Sequence, residues 1–248
     1  MKLTVLGCSG TFPGPDTGCS AYLLQHEGFT VLIDVGSGAI GELQHHADLF
    51  GVDAVFLSHL HADHCLDLVG YTYARRYCPG EPPPVLPVYG PAGTRARLSE
   101  AGGWPATDRL EEVYDFRTVT AGRLEIGPFT VDLATMNHPV RCHGSRWSAG
   151  GRSLTYSGDT GVCDELVSLA QGTDLALFEA SWYDGDENPP GVHLTGRQAG
   201  EHAARAQAER LLLTHITPWG DRQRSYEEAS PAFRGALDVA VRGVVYEV

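Results

Sequence analysis

Short apolar segments alternate along the whole chain with polar segments that contain glycine and proline. Most apolar segments are about seven residues long or shorter and rich in β-branched residues, which is typical of strands. This pattern predicts strands near 2–6, 20–25, 29–34, 52–58, 85–89, 113–119, 123–126, 129–136, 153–157, 174–180, 210–214 and 243–247. Helical patterning predicts helices near 39–49, 66–77, 91–101, 164–171, 196–208 and 225–238.

Capping residues mark the starts of two predicted helices. Thr195 and Gln198 have the spacing of a capping box before an alanine-rich segment. Ser225 and Glu228 have the same spacing. We expect Pro231 to break or kink the helix that follows, because proline cannot donate a helical hydrogen bond.

The order of these elements predicts a fold class. Strands in antiparallel succession dominate the first half, and helices alternate with strands in the second half. Proline and glycine cluster at 79–93 and 185–191, but strand and helix patterns continue at the same rhythm on both sides. The sequence therefore predicts one domain over residues 1–248, of the α+β class or a layered αββα type.

Composition and charge exclude several classes of protein. A hydrophobic content of 42% and a charged content of 20% argue against disorder. The formal net charge of −13 argues against general binding to polyanions, which requires clustered lysine and arginine. The apolar segments are too short to cross a membrane and no signal peptide is evident, so we expect a cytoplasmic protein. The six cysteines form no CxxC pair, and we expect buried thiols rather than disulfides.

Three histidines and an aspartate lie within six positions just after the predicted strand 52–58. Residues 59–64 are His-Leu-His-Ala-Asp-His. Imidazole nitrogens and carboxylate oxygens are ligands of Zn²⁺ and of neighbouring transition metals. The alternative is a solvated surface cluster, but no lysine or arginine accompanies this segment. Because sites lie at the carboxyl ends of strands in open α/β sheets, the segment predicts a metal site.

Three further donors follow predicted strands elsewhere in the chain, namely His138, Asp159 and His215. Each alone has an ordinary explanation, since a lone histidine after a strand is more often a hydrogen-bonded loop residue, and Gly-Asp-Thr is a common turn. A pair of bound metals needs more donors than one loop supplies. Together with the hexapeptide, the three residues therefore favour a larger metal site.

These motifs resemble those of the metallo-β-lactamase superfamily, in which HxHxDH is followed by a later histidine, an aspartate in a Gly-Asp-Thr turn and a terminal histidine. The match extends from Leu3 to beyond His215. Segments 178–182 (Phe-Glu-Ala-Ser-Trp) and 193–200 (His-Leu-Thr-Gly-Arg-Gln-Ala-Gly) are similar to its phosphodiesterase branch. That branch contains ribonuclease Z and the class II-like cyclic-nucleotide phosphodiesterases, and its small actinobacterial members are the most similar. The resemblance implies an αβ/βα four-layer sandwich with two mixed sheets flanked by helices.

The resemblance also implies a dinuclear metal centre. The resemblance implies that one metal is bound by His59, His61 and His138. It implies that the other is bound by Asp63, His64 and His215, and that Asp159 bridges the two. The two divalent ions would be Zn²⁺ in the first instance, or else Mn²⁺ or Fe²⁺, and would hold a bridging hydroxide aimed at phosphorus. The histidine after Asp63 and the lack of a cysteine ligand argue against a true β-lactamase.

By the same resemblance, catalysis depends on Asp63, Glu179 and His193. His193 would protonate the leaving alkoxide, and Glu179 would orient the imidazole. The alternative for His193 is an ordinary loop residue. We expect a further carboxylate, Asp53 or another, to orient one of the ligand imidazoles. His143 follows the later histidine ligand closely enough to reach a substrate.

Three functions are compatible with these residues. We favour hydrolysis of small or cyclic phosphodiesters, above all 3′,5′-cyclic nucleotides such as cyclic AMP. The second is tRNA 3′-end cleavage as in ribonuclease Z, whose bacterial forms insert a tRNA-gripping arm between the later histidine and the Gly-Asp-Thr turn. Here that interval, 138–159, holds a short turn and one predicted strand. The third is a non-catalytic, metal-binding regulatory domain.

The expected partner is therefore a small phosphodiester, not a membrane, and a nucleic acid is not expected because the chain is acidic. The resemblance allows a homodimer, since the branch commonly forms dimers. The sequence itself carries no interface signal.

Overall fold

Strands and short helices follow one another along residues 1–105 and 107–248, the part of the chain that the computed structural model describes. The strands are β1 (Lys2–Ser9), β2 (Gly18–Cys19), β3 (Ala21–His26), β4 (Phe29–Val35), β5 (Ala54–Phe56), β6 (Leu86–Gly90), β7 (Tyr114–Thr118), β8 (Gly122–Ile126), β9 (Phe129–Thr135), β10 (His143–Ala149), β11 (Arg152–Tyr156), β12 (Leu175–Glu179), β13 (Arg210–Thr214), β14 (Ala236–Val239) and β15 (Val245–Glu247). The helices are α1 (Ala39–Leu43), α2 (Ala62–Cys65), α3 (Asp67–Arg76), α4 (Thr94–Gly102), α5 (Asp164–Leu169), α6 (Gly196–Arg205) and α7 (Arg222–Ala229).

The strands form two mixed β-sheets. The first contains eight strands, with the order β15-β1-β3-β4-β5-β6-β7 and β2 paired with β1. Within it, β1, β3 and β4 are antiparallel neighbours, whereas β4 to β7 run parallel. The second contains seven strands in the order β14-β13-β12-β11-β10-β9-β8. Here β8 to β11 are antiparallel and β11 to β14 are parallel.

Three apolar clusters separate the layers. Aromatic side chains from both sheets, such as Tyr22, Phe129 and Trp147, fill the space between the sheets. The other face of the first sheet packs against α1, α3 and α4, and that of the second sheet against α5, α6 and α7. Successive strand residues point to opposite faces, so Leu23 belongs to an outer cluster while Tyr22 belongs to the central one. The αβ/βα four-layer prediction is confirmed, and the shared central cluster supports our proposal of a single domain.

Small residues let α6 pack closely against α7. A Cβ atom at Gly200 would lie 2.8 Å from the carbonyl oxygen of Ala229, so any larger residue would push the helices apart. The predicted capping box is present at the start of α6. The Thr195 hydroxyl accepts from the amide of Gln198, and the Gln198 side chain accepts from the amide of Thr195 at 3.0 Å.

The predicted helix at 225–238 is wrong at both ends. α7 begins at Arg222, where the side chain of Asp221 caps it. It ends at Ala229, shortly before Pro231, which cannot continue a helix. The later part of the segment is β14, which pairs in parallel with β13.

The interval 138–159 contains a hairpin rather than a single strand. β10 and β11 pair in antiparallel register around Gly150 and Gly151, which both have positive φ. β10 is largely polar (His-Gly-Ser-Arg-Trp-Ser-Ala), so its hydrophobic pattern does not mark a strand. The hairpin and its flanking turns fill the interval, which leaves no room there for a tRNA-gripping arm.

The carboxyl ends of strands from both sheets lead to the predicted metal ligands. β5 leads into residues 59–64, β9 into His138, β11 into Asp159 and β13 into His215. These residues contact one another, so both sheets contribute donors to the same edge of the molecule. The fold thus assembles donors that are far apart along the chain.

Candidate metal centre

The 59–64 segment leaves β5 and ends in the single helical turn α2. His61 caps that turn in an extended conformation, and Asp63 and His64 lie within it. His59, Asp63 and His64 are buried. Gly36, which follows β4, allows this approach, because a Cβ atom there would overlap the carbonyl oxygen of Asp63. The turn is therefore fixed against the first sheet.

One group of donors comprises three histidines and an aspartate. Nε2 of His59 lies 3.0 Å from Nδ1 of His61, which lies 3.3 Å from Nε2 of His138. Oδ2 of Asp159 lies 3.5 Å from Nε2 of His59. All four donor atoms lie within 4.8 Å of one another, so one cation can contact them all.

A second group adjoins the first. Nε2 of His64 lies 3.1 Å from Nε2 of His215 and 3.6 Å from Oδ2 of Asp63, and His215 lies 3.2 Å from the same oxygen. Asp159 also faces this group, since its Oδ1 lies 3.3 Å from Nε2 of His64. Its two oxygens therefore reach both groups, which is the geometry of a bridging carboxylate.

The spacing and chemistry of these atoms fit divalent metal ions. Two nitrogens that are each about 2.1 Å from a tetrahedral ion lie about 3.4 Å apart, close to the separations seen here. Oδ1 of Asp159 is buried and has no hydrogen-bond partner among the described residues, so it is an acceptor that lacks a donor or a cation. Imidazole and carboxylate donors suit Zn²⁺, Mn²⁺ and Fe²⁺.

Charge also favours an ionised bridge. Burial opposes ionisation of Asp159, but the imidazoles of His215, His64 and His59 lower its pKa well below the usual value. Nearby thiols are protonated by contrast, because burial raises the pKa of Cys65 to about 11. The Sγ atom of Cys65 donates to the carbonyl oxygen of His61. The six cysteines are free thiols; four of them are buried as expected, whereas Cys78 and Cys163 are half-buried.

The ring nitrogens that face away from the centre are held by other groups. Nδ1 of His64 donates to Asp34 at 2.8 Å. Nδ1 of His59 donates to the Ser58 hydroxyl at 3.1 Å, and that hydroxyl donates to Asp34 at 2.7 Å. Asp34 thereby fixes one imidazole from each group, which sets its tautomer and its orientation.

Two further outward nitrogens, those of His138 and His215, are also hydrogen-bonded. Nδ1 of His138 donates to the carbonyl oxygen of Val192 at 2.9 Å, and Nδ1 of His215 lies 2.7 Å from the Ser181 hydroxyl. The carboxylate of Asp63 is held as well, because it accepts a hydrogen bond from the amide of Thr11 at 2.6 Å.

Glu179 and His193 form a buried pair beside the two groups. Nδ1 of His193 lies 2.9 Å from Oε1 of Glu179, which also accepts from the amide of Thr160 at 2.8 Å. Glu179 is fully buried, whereas the His193 side chain is 17% exposed. Burial lowers the pKa of His193, but the Glu179 carboxylate outweighs it and brings the value to about 9. The imidazole can therefore hold a proton at neutral pH.

Two further residues named from the sequence, Asp53 and His143, lie outside the donor groups. Asp53 contacts no ligand and accepts from the amide of Thr30, so the orienting carboxylate is Asp34. His143 is fully buried in β10, where its amide donates to the carbonyl oxygen of Ser58, so its side chain is not exposed at the surface. Sequence reasoning missed Asp34, although an aspartate at the end of an apolar strand is a recognisable signal.

Comparison with known proteins identifies the family. The family described as "Beta-lactamase superfamily domain" matches residues 30–216. The chain belongs to the β-lactamase superfamily. A superfamily member, the "Probable metallo-hydrolase YhfI" of Bacillus subtilis, is 30% identical over 256 residues that include all of both chains. Its crystal structure matches with a TM-score of 0.89 and covers 99% of each chain.

Other relatives cover the chain equally well. The "Uncharacterized protein Rv1339" of Mycobacterium tuberculosis is 44% identical over 254 residues, covering 100% of this chain and 92% of the relative. The ribonuclease Z of Natronomonas pharaonis is 27% identical over 305 residues, covering 100% and 98%. Human short-form tRNase Z shares the fold, with a TM-score of 0.78, 24% identity and coverage of 100% and 99%.

This superfamily member is a metal-dependent hydrolase with the metallo-β-lactamase fold, related to ribonuclease Z. Family membership and the histidine and aspartate cluster together imply divalent metal ions. In the part of the chain that the structure describes, every helix is too short or too polar to span a membrane.

Proposed function

We propose that this hydrolase is a phosphodiesterase with two divalent metal ions, Zn²⁺ first among the candidates, and that 3′,5′-cyclic nucleotides such as cyclic AMP are its preferred substrates. The observation that carries the proposal is the pair of donor groups joined by Asp159, with the Glu179–His193 pair beside them. Hydrolysis of a phosphodiester needs an activated water and a proton for the leaving oxygen. Metal ions at the donor groups would activate the water, and His193 would supply the proton.

The ligands follow from the two groups of donors. In this proposal His59, His61 and His138 bind one ion, Asp63, His64 and His215 bind the other, and Asp159 bridges them. Two bound divalent ions would supply Lewis acidity and would lower the pKa of a water molecule that they coordinate. Asp34 keeps His59 and His64 in the tautomers that present their lone pairs to the centre.

His193 is proposed to protonate the leaving alkoxide through Nε2. Glu179 accepts from Nδ1, so Nε2 is the ring nitrogen left to donate a proton to a substrate. The His193 ring lies next to both groups, with its centroid 5.6 Å from that of His138 and 5.4 Å from that of His215. Its contact with Glu179 favours the role of acid over that of ligand, because the carboxylate stabilises the imidazolium form.

Size and charge support a small substrate. The 138–159 interval is a short hairpin, and the net charge of −13 offers no general attraction to a large polyanion. Similarity to the ribonuclease Z of Natronomonas pharaonis over nearly the full length makes tRNA 3′-end cleavage the second candidate. The Glu179–His193 pair argues against the third, a non-catalytic regulatory domain, since regulation does not require a proton donor. The homodimer remains a prediction.

A substrate panel with metal analysis tests the proposal. Purified protein would be assayed for bound metals and incubated in parallel with cyclic AMP, bis(4-nitrophenyl) phosphate and precursor tRNA, with Asp159→Ala as the background control. We expect about two metal ions per chain and turnover of cyclic AMP that Asp159→Ala abolishes. Cleavage of precursor tRNA at low enzyme with negligible hydrolysis of cyclic AMP would favour the second candidate. Bound metals without cleavage of any substrate would favour the third.

A further inference from the structure

Two aromatic residues form an exposed apolar surface on loops that adjoin the metal centre. Phe12 is 44% exposed and Trp219 is 69% exposed. Their rings contact each other, with centroids 5.2 Å apart and planes tilted by 39°. A tryptophan that keeps most of its surface in water forgoes the stabilisation that its burial supplies. Packing within the fold therefore does not account for the two exposed rings, whereas contact with a ligand would account for them.

The pair is tied to the metal ligands by the backbone. Thr11 precedes Phe12, and its amide donates to Oδ2 of Asp63 at 2.6 Å. Standard bond lengths then put the Cα atom of Phe12 within about 8 Å of that ligand oxygen. Trp219 follows His215 by one short loop. A ribose whose phosphate lies at the metals spans a comparable distance.

Both loops are held in fixed conformations. The Ser9 hydroxyl donates to the carbonyl oxygen of Phe12 at 2.9 Å, and the amide of Gly10 donates to Ile216 at 3.1 Å, which joins the two loops. Trp219 lies in a tight turn that the amide of Gly220 closes on Thr217 at 2.8 Å. A surface that is already ordered loses little entropy when it binds a planar group.

We propose that Phe12 and Trp219 bind the nucleobase of the substrate by stacking. This inference rests on the proposed phosphodiesterase function and adds the residues that bind the nucleobase of a nucleoside phosphodiester. Every base has a π-face, so stacking favours nucleotides over base-free diesters without selecting one base. The pair contains no charged group, which suits an uncharged ring held away from the phosphate.

Three other apolar residues close to the proposed ligands or to His193, namely Val140, Val162 and Trp182, do not offer such a surface. Val140 and Val162, which follow the ligands His138 and Asp159, are exposed but aliphatic. Trp182 is half-buried, and its ring already packs against that of His193, with centroids 5.1 Å apart and planes at 84°.

Kinetics with two substrates test the stacking surface. The substrates are cyclic AMP and methyl riboside 3′,5′-cyclic phosphate, which lacks a base. Phe12→Ala with Trp219→Ala should raise KM for cyclic AMP about 10- to 100-fold, from the usual range for loss of base stacking. The kcat for cyclic AMP and KM for the base-free diester should stay within about two-fold of wild type. Tyr77→Ala, which removes another exposed aromatic residue, is the matched control and should leave KM for both substrates unchanged.

Binding of 5′-AMP, followed by tryptophan fluorescence, tests the surface independently of turnover. Wild type should be quenched by 5′-AMP, Trp219→Leu should lose most of that quenching, and Trp219→Phe should keep KM for cyclic AMP near wild type. If the double variant changes KM equally for both substrates or for neither, or only alters the oligomeric state, the stacking surface is refuted while the phosphodiesterase stands. If 5′-AMP quenches wild type through Trp219 but no diester is cleaved, the stacking surface stands and the phosphodiesterase fails.

Discussion

Replacing Asp34 by asparagine tests how far the metal centre depends on a residue that is not a ligand. Asp34 is fully buried. Its Oδ1 accepts from the amide of Ser58 at 2.7 Å, and its Oδ2 accepts from the Ser58 hydroxyl at 2.7 Å, from His64 at 2.8 Å and from the Tyr156 hydroxyl at 2.9 Å. Asparagine has the same shape but replaces one oxygen by an NH₂ group. Whichever way the amide turns, that NH₂ group faces at least one donor.

The magnitude follows from these contacts. A buried donor left without an acceptor costs about 1–3 kcal/mol of stability. For a domain of this size, that lowers Tm by about 2–12 °C. The loss of the carboxylate also weakens the hold on His64 directly and on His59 through Ser58. Removing such a partner typically lowers metal affinity about 10- to 100-fold, or about 1.4–2.8 kcal/mol.

The two effects are measured separately. Thermal unfolding with chelator present reports the stability of the metal-free protein, and competition with a chromophoric chelator reports metal affinity. Asp53→Asn is the matched control, because Asp53 is exposed and accepts from the amide of Thr30 but contacts no ligand. We expect the control to keep wild-type metal affinity. Wild-type metal affinity in Asp34→Asn, or an equal loss in Asp53→Asn, would refute the orienting role of Asp34.

Three further changes probe the centre and the fold. Asp159→Ala should reduce the metal content and abolish hydrolysis, and full activity with stoichiometric metal would contradict a bridging role. His193→Ala should lower kcat for cyclic AMP about 10²- to 10⁴-fold at normal metal content. The loss should be much smaller for a nitrophenyl diester, whose leaving group needs no proton, and equal losses would exclude the acid. Gly200→Val should lower the free energy of unfolding by about 1–3 kcal/mol in chemical denaturation, because its Cβ atom would crowd Ala229. Gly41→Ala should not lower the free energy of unfolding, because a Cβ atom there meets open space. Equal stability of the two variants would contradict the packing argument.

The sequence predicts best where the signal is local. The capping box at Thr195 depends on residues within one helical turn, and it is present as predicted. β10 was not predicted, because its strand conformation comes from pairing with β9 and β11 rather than from its own polar sequence. The bounds of α7 were wrong for a similar reason, since β14 exists only because it pairs with β13.

The candidate site divides in the same way. The donors of residues 59–64 are evident because they are nearly consecutive. The sequence predicts an orienting carboxylate, Asp53 or another, but it did not point to Asp34, which lies within β4. Contacts across the sheet identify the carboxylate: Asp34 reaches Ser58 and His64, whereas Asp53 reaches only Thr30.

The sequence by itself determined the chemical type of each donor, the strand that each one follows and the family to which the chain belongs, since residue identity and hydrophobic pattern are local properties. Only the tertiary structure decided which donors meet. His215 and Asp63 are 152 positions apart in the chain, yet their donor atoms lie 3.2 Å apart. The two groups, the shared position of Asp159 and the exposed pair Phe12 and Trp219 all arise from packing between distant segments, and distances of that kind are set by sheet order and register rather than by any short stretch of sequence.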